Sequence, residues 1–364
     1  MVVRDKTDAI VGCILGTAVG DALGLPYEGL TPSRARRMLG APSRYRFLFA
    51  KGMISDDTEH TCMVAQSLIE SGMDVELFGK CLARRLRWWL FALPAGVGKA
   101  TAQAGIRLWL GRGPSKAGVF SAGNGPAMRA AIFGAAVDDV SLLLQLVQRS
   151  SYLTHTDPKA EYGAIAVALA AKHARESEVI DPRCWLDGVI DATKGDCDEW
   201  IELLQSAIAS VERNESTVDF ARQVGLERGV TGYVYHTVPI AIHAWLSSPD
   251  DYRKAVVAAI ECGGDADTVA AIVGGIVGSR TGEKEIPGNW LNDLWEWPRS
   301  VKWMRHVGQT VAVGGEGQHR IQAPKVNPVS VVFRNVLFLL VVLFHGFRRL
   351  APPYDRTLSH QSSN

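Results

Sequence analysis

Two short acidic clusters stand far apart in the chain, Ser55-Asp56-Asp57-Thr58 and Gly264-Asp265-Ala266-Asp267-Thr268. Each sets two carboxylates beside hydroxyl groups at the start of a run that reads as helix. Crowded carboxylates repel one another unless a cation sits between them. All the ligands on offer are oxygen, with no His or Cys in either cluster. That chemistry favours a hard ion, Mg²⁺ or Mn²⁺ before Ca²⁺, over zinc or copper. Singly, each cluster is also an ordinary helix start, where acids meet the positive end of the dipole; it is the pair that points to a shared two-metal site. An EF-hand beginning at Asp265 is excluded, because Ala270 and Ile276 stand where that loop needs Gly and Glu.

Three further places carry candidate chemistry. Gly96-Val97-Gly98-Lys99 suggests a phosphate loop, but Leu93 and Ala100 occupy the positions where that motif needs Gly and Ser or Thr. Gly123-Asn124-Gly125, followed by Met128-Arg129, is a glycine-lined turn into a helix. It reads either as a plain interhelical turn or as backbone N–H groups facing a phosphate. His155 lies in the polar stretch Thr154-His155-Thr156-Asp157-Pro158 and is a cap or surface residue unless that turn recruits it.

The elements that must position these groups read as helices. Residues 8–24 carry Gly12, Gly16 and Gly20 on nearly one face, at a cost of about 1 kcal/mol each relative to Ala, which predicts close passage of a neighbouring backbone. Residues 25–54, with Pro26, Pro32 and Pro42, read as loop. Helices follow over about 58–69, 77–91, 100–110, 127–136, 140–148, 161–175, 200–211, 237–246, 252–260 and 269–278, the last with Gly274 and Gly278 as a second close-contact face. Period-2 strands are hard to find, so the expected fold is all-α, a single helical domain over roughly residues 5–310.

The 364 residues are 47% hydrophobic, enough for a sizeable core, and the formal charge of +1 gives no bulk attraction to nucleic acid. Six scattered cysteines without a C-x-x-C pair, and no secretory leader, predict a reducing, cytoplasmic setting. Residues 311–328 read as a Gly/Pro-rich linker and 329–364 as an apolar tail. The run 336–344 is too short to cross a bilayer, and 329–347 reaches that length only by including Arg334, Asn335 and His345. A helix buried on the domain or in a dimer is the favoured reading of the tail; membrane contact through 329–347 is the second.

Taken in order, Gly16-x-x-x-Gly20-Asp21-Ala22-Leu23-Gly24-x-x-x-Glu28, Ser55-Asp56-Asp57-Thr58, Gly123-Asn124-Gly125-x-x-Met128-Arg129, Thr154-His155 and Gly264-Asp265-Ala266-Asp267-Thr268 resemble the ADP-ribosylglycohydrolase family over roughly residues 8–300. The family's best-known members release ADP-ribose from modified arginine, including on dinitrogenase reductase. The resemblance implies an all-α fold, a single orthogonal helical bundle over residues 1–310, with a dinuclear metal cleft whose pair of Mg²⁺ or Mn²⁺ ions is held by Ser55, Asp56, Asp57, Asp265, Asp267 and Thr268. It implies an ADP-ribosylated protein as substrate, its diphosphate held by Gly123, Asn124, Gly125 and His155.

Departures from the family pattern bear on catalysis. Ser55 replaces the usual Thr but keeps a hydroxyl. Ser121 and Ala122 stand where some relatives carry a carboxylate, which leaves Glu28 as the best remaining acid near the site. His236 sits where relatives often have an acid, and Tyr233 is read as an adenine or ribose contact. Glu28, Asp56, Asp57 and Asp267 are thus the expected catalytic set, for hydrolysis of an N-glycosidic bond to arginine. Two alternatives stay open: another ADP-ribosyl linkage (serine-linked, O-acetyl-ADP-ribose or small-molecule), or an inactive ADP-ribose binder.

Overall fold

Four glycines on one face of the first helix decide how the molecule is assembled. The helix Lys6–Gly24 starts at Asp5, whose side chain accepts from the Thr7 N–H at 3.0 Å. It lies against Ala266–Thr281 so closely that a Cβ on Gly12, Gly16 or Gly20 would run into the carbonyl oxygens of Gly278, Gly274 and Ala270. Gly12 faces Gly278 while Gly24 faces Ala266, so the two helices are antiparallel. Small residues on both sides let the backbones meet, and the cost in helix propensity is offset by that packing. The arrangement brings the last turn of one helix to the first turn of the other, and with it Asp21 to Asp267.

This pair forms the middle of an all-α body, seen in a computed structural model that describes residues 5–193, 197–314 and 321–350. Among the described residues there is no strand, only isolated bridges between loops. Pro158–Glu176 and Val234–Ser247 pack around the central pair, and Asp56–Ser71, Val75–Phe91 and Val301–Val313 close another side. Trp185, Trp200, Trp245 and Trp290 are fully buried and anchor the core.

Residues 25–54 are not all loop. Thr31 caps a helix over Pro32–Leu39, and its proline sits in the first turn, where the missing N–H costs nothing. The expected helix over 127–136 is two pieces, Gly125–Met128 and Ala131–Ala136, with Arg129 turning between them. Pro182–Ala192, Thr217–Gln223, Gly288–Asp293 and Val301–Val313 add to the helices read from sequence. Of the expected linker, residues 315–320 lie outside the described residues, and the helix Val301–Val313 runs into its start. A long helix, Pro328–Arg348, then lies against the body.

Candidate active site

Asp21 is the keystone of the acidic centre. Its Oδ1 accepts from the Ser55 N–H at 3.0 Å, and its Oδ2 accepts from the Ser55 N–H at 2.9 Å, the Thr58 N–H at 3.2 Å and the Thr58 hydroxyl at 2.5 Å. The carboxylate thereby takes up orphan donors at the start of Asp56–Ser71 and pins that helix to the end of the first one. The second acidic motif arrives along the glycine-faced contact. Asp57 Oδ2 accepts from Ser55 Oγ at 3.1 Å and from Thr268 Oγ1 at 3.3 Å, so hydroxyls of both motifs meet on one oxygen.

Ligand oxygens of Asp21, Asp57 and Asp267 lie within 4.8 Å of one another. Asp57 Oδ1 and Asp267 Oδ1 are buried and have no hydrogen-bond partner among the described residues. Burial first, then the neighbouring carboxylates, push Asp56, Asp57 and Asp267 well above the usual carboxylate range. Asp21 rises to about 6 by burial, against the opposing effect of its Thr58 and Ser55 donors. A buried anion cluster with two unsatisfied oxygens is costly unless a positive charge is added. The donor set is all oxygen, and so it fits a hard divalent cation.

Above this centre opens a cleft of about 500 Å³. Asp56, Asp265, Asp267 and Thr268 line its floor, Glu28 its rim, and Gly123, Asn124, Gly125 and His155 the opposite wall. A series of backbone hydrogen bonds ties these separate segments together. Gly29 N–H donates to Gly264 O and Gly264 N–H to Leu30 O, each at 2.8 Å. Asp265 N–H donates to Val230 O at 2.9 Å, Asn124 N–H to Gly232 O at 3.0 Å, and Val119 N–H to Thr154 O at 3.0 Å. Gly264 has φ +73°, and a Cβ there would strike the Val230 backbone, so glycine is required at the junction. Asn124 adds a side-chain link, donating from Nδ2 to Asp265 Oδ2 at 2.6 Å and to Thr237 Oγ1 at 2.9 Å.

His155 is oriented from behind. Arg129 NH2 donates to Thr154 Oγ1 at 2.8 Å, and that hydroxyl lies 2.8 Å from His155 Nδ1. The guanidinium takes one lone pair of that hydroxyl, and in the tautomer where the hydroxyl donates its hydrogen bond to Nδ1 the imidazole carries its proton on Nε2. Burial and the Arg129 charge lower His155 to about 3, so the ring is neutral. It packs on Gly123 and Gly125, where any Cβ would crowd it, and it lines the cleft. In that tautomer the wall offers an Nε2–H donor suited to an anionic oxygen.

The structure brings together Glu28, Ser55, Asp56, Asp57, Asp265, Asp267, Thr268, Gly123, Asn124, Gly125 and His155. Ser55 and Asp57 lie beneath the floor, buried. Burial and the nearby Asp265 raise the Glu28 carboxyl. Tyr233 is not among the residues lining the cleft. Its backbone pairs with Gly123 and its hydroxyl accepts from Lys159 Nζ at 3.0 Å. Asp21 stands in the Gly20-Asp21-Ala22-Leu23-Gly24 stretch quoted above, but sequence reasoning gave it no role; its signal was an acid near the end of a glycine-faced helix. It also set aside Gly96-Val97-Gly98-Lys99, yet Gly96, Gly98, Lys99 and Thr101 line the cleft. A loop pattern can fail as a motif and still lie at the site.

Comparison with known proteins agrees with this geometry. Residues 3–318 match the family model described as ADP-ribosylglycohydrolase. An uncharacterized protein of Archaeoglobus fulgidus is 32% identical over 78% of this chain and 90% of its own length. The ADP-ribosyl-[dinitrogen reductase] glycohydrolase of Rhodospirillum rubrum is 25% identical, covering 79% and 90%. ADP-ribosylhydrolase ARH3 of Xenopus tropicalis is 26% identical, covering 77% and 89%. A solved ADP-ribosylglycohydrolase-related protein complex superposes with a TM-score of 0.61 at 27% identity, over 85% of this chain and 99% of that one. The ordered motifs, the helical fold and the acidic cleft converge with these matches, and the chain belongs to the ADP-ribosylglycohydrolase family.

Proposed function

We propose that the chain removes ADP-ribose from mono-ADP-ribosylated protein by hydrolysing the N-glycosidic bond to arginine, with residues 1–310 as the catalytic unit and two Mg²⁺ or Mn²⁺ ions as cofactors. The observation that carries this reading is the pair of orphaned buried oxygens, Asp57 Oδ1 and Asp267 Oδ1, beneath a cleft walled by anion-binding donors. Ser55, Asp56, Asp57, Asp265, Asp267 and Thr268 would hold the ions. When bound, such ions supply positive charge and Lewis acidity toward a sugar diol.

The chain's own groups account for the remaining chemistry. His155 Nε2–H and the Gly123–Gly125 backbone hold the diphosphate and so fix the distal ribose over the acidic floor. Tyr233, behind that wall, supports Gly123 through its backbone rather than touching the substrate. The C1″–N bond breaks with oxocarbenium character at C1″, and water adds its oxygen there. Glu28, at the rim with a raised carboxyl, takes a proton from that water and returns one to the leaving guanidine nitrogen. Help of this kind is typically worth about 10²–10⁴-fold. Six free thiols support a reducing, cytoplasmic setting.

A second reading is hydrolysis of another ADP-ribosyl linkage, since ADP-ribosylhydrolase ARH3, whose name specifies no linkage, is as similar to this chain as the dinitrogen reductase glycohydrolase. The test is release of ADP-ribose from arginine- and serine-modified protein, with and without EDTA. Release from the arginine substrate, abolished by EDTA, restored by Mn²⁺ and lost in Asp267→Ala, is expected. Release from the serine substrate alone selects the second reading. Tight ADP-ribose binding without turnover on either substrate would reduce the chain to a binder.

A further inference from the structure

The helix Pro328–Arg348 is built inside out. The stripe turned to the body includes Arg334, Asn335 and His345. Arg334 donates to both Glu296 oxygens, at 2.9 and 2.7 Å, and to Ile54 O at 2.5 Å. Asn335 donates to Ala92 O at 2.8 Å, and His345 Nε2 lies 3.1 Å from Pro26 O. The polar groups are thus used internally, and the opposite face is left apolar. Phe333 is 67% exposed, Leu340 59%, Phe344 58% and Phe347 70%. A soluble surface helix has the reverse pattern.

This face does not end at the helix. Trp297 stacks edge-on against Phe333, with ring centroids 6.4 Å apart. A groove of about 470 Å³ joins Val329 and Val332 to the exposed Trp88 and Phe91 of the neighbouring helix, with Lys325 at its edge. Contiguous exposed apolar surface of this kind marks an interaction site.

The charges decide what covers it. Residues 321–350 contain no Asp or Glu, while Lys325 precedes the helix and Arg348 closes it, the Arg349 guanidinium beyond it being held by the body at Pro26 O. A second copy laid on this face would set basic ends against basic ends with no carboxylate on the helix to answer them. Anionic headgroups complement that pattern, and Trp side chains favour the same water–lipid boundary. The helix is long and apolar enough to cross a bilayer, but Arg334 and Asn335 bond it to the body, an arrangement that suits a helix lying in the plane of the surface. We propose that this face docks the protein on an anionic lipid surface. Arg349 also donates to Glu28 O at 2.9 Å, and Arg334 holds the residue before Ser55, so the docking helix is fixed to two segments of the cleft.

The test is co-sedimentation of the full chain with phosphatidylcholine vesicles, with and without phosphatidylserine. Binding to the anionic vesicles, weakened by salt, is expected. Leu340→Glu with Phe344→Glu lowers it at least about tenfold by withdrawing apolar area from the lipid. Lys325→Gln lowers it about fivefold, the effect of one basic group at the surface. Both variants keep the wild-type unfolding midpoint, so the loss is one of docking rather than folding. The proposal is overturned if the wild type ignores both vesicles, or if the double variant binds as well as wild type. It is also overturned if the wild type is a dimer that the double variant converts to monomer. None of these readouts depends on which ADP-ribosyl linkage is cleaved.

Discussion

Replacing Gly24 by Ala puts the glycine-faced helix contact and the acidic centre to one test. Gly24 has α-helical backbone angles, φ −73° and ψ −37°, so alanine is locally acceptable and by helix propensity alone would add up to about 1 kcal/mol. Its Cβ, however, would stand 2.6 Å from Ala266 O and 2.6 Å from the Cα of Asp267. Carbon atoms in good contact sit about 3.5–4.0 Å apart, so the Asp267 backbone must retreat by about 1 Å. Overpacking of this size costs about 1–3 kcal/mol, which reverses the sign of the propensity gain. A displacement of about 1 Å at a catalytic group costs on the order of 10²-fold in rate. The control is Gly188→Ala in the helix Pro182–Ala192, where a new Cβ meets nothing within 4 Å; it should stabilise by about 0.5–1 kcal/mol and leave activity unchanged. Urea denaturation followed by circular dichroism reads the stability of both variants, and initial rates of ADP-ribose release read the activity. If Gly24→Ala is as stable as wild type with unaltered kcat/KM, the close contact does not hold Asp267 in place and the reasoning fails.

Asp21→Asn removes the charge that gathers Ser55 and Thr58, and should lower Mn²⁺ affinity by about 10–100-fold by titration calorimetry while the helical circular dichroism is kept. His155→Phe keeps the ring against Gly123 and Gly125 but removes the Nε2–H; KM should rise about tenfold or more with kcat little changed. His243, fully buried between Thr217 Oγ1 and Ser210 Oγ at 3.1 Å each, is lowered by burial from 6.5 to about 4. Between these values the unfolded state binds the extra proton, so its contribution is complete above pH 6.5 and is lost as pH falls toward 4. By pH 5 the loss is about 2 kcal/mol, and wild type minus His243→Asn, by urea titration at pH 7 and pH 5, isolates it.

Most of the helical layout was legible because apolar periodicity and caps are local signals. Gly12, Gly16 and Gly20 announced a close backbone even without its partner in view. The Pro32–Leu39 helix was hidden because its proline reads as a breaker until Thr31 is recognised as the cap. The acidic motifs were legible as chemistry, since crowded carboxylates need an explanation wherever they lie. Asp21 was not, because its role is to accept from Ser55 and Thr58, a contact made only when two helices meet. Lys99 and Thr101 reach the cleft through tertiary placement alone. The polar residues of the C-terminal helix looked like interruptions in an apolar run, and only their bonds to Glu296, Ile54 O and Ala92 O reveal which side they face.

The backbone links that join Gly29–Leu30, Gly264–Asp265, Val230, Asn124 and Val119 around the cleft have a thermodynamic consequence. Ordering a loose loop on a ligand costs about 1–2 kcal/mol per residue. Here the cleft loops were already fixed when the chain folded, so an incoming nucleotide meets a finished mould. Its affinity is then governed by desolvation and charge, and calorimetry should record a modest heat-capacity change with little entropic penalty from the protein.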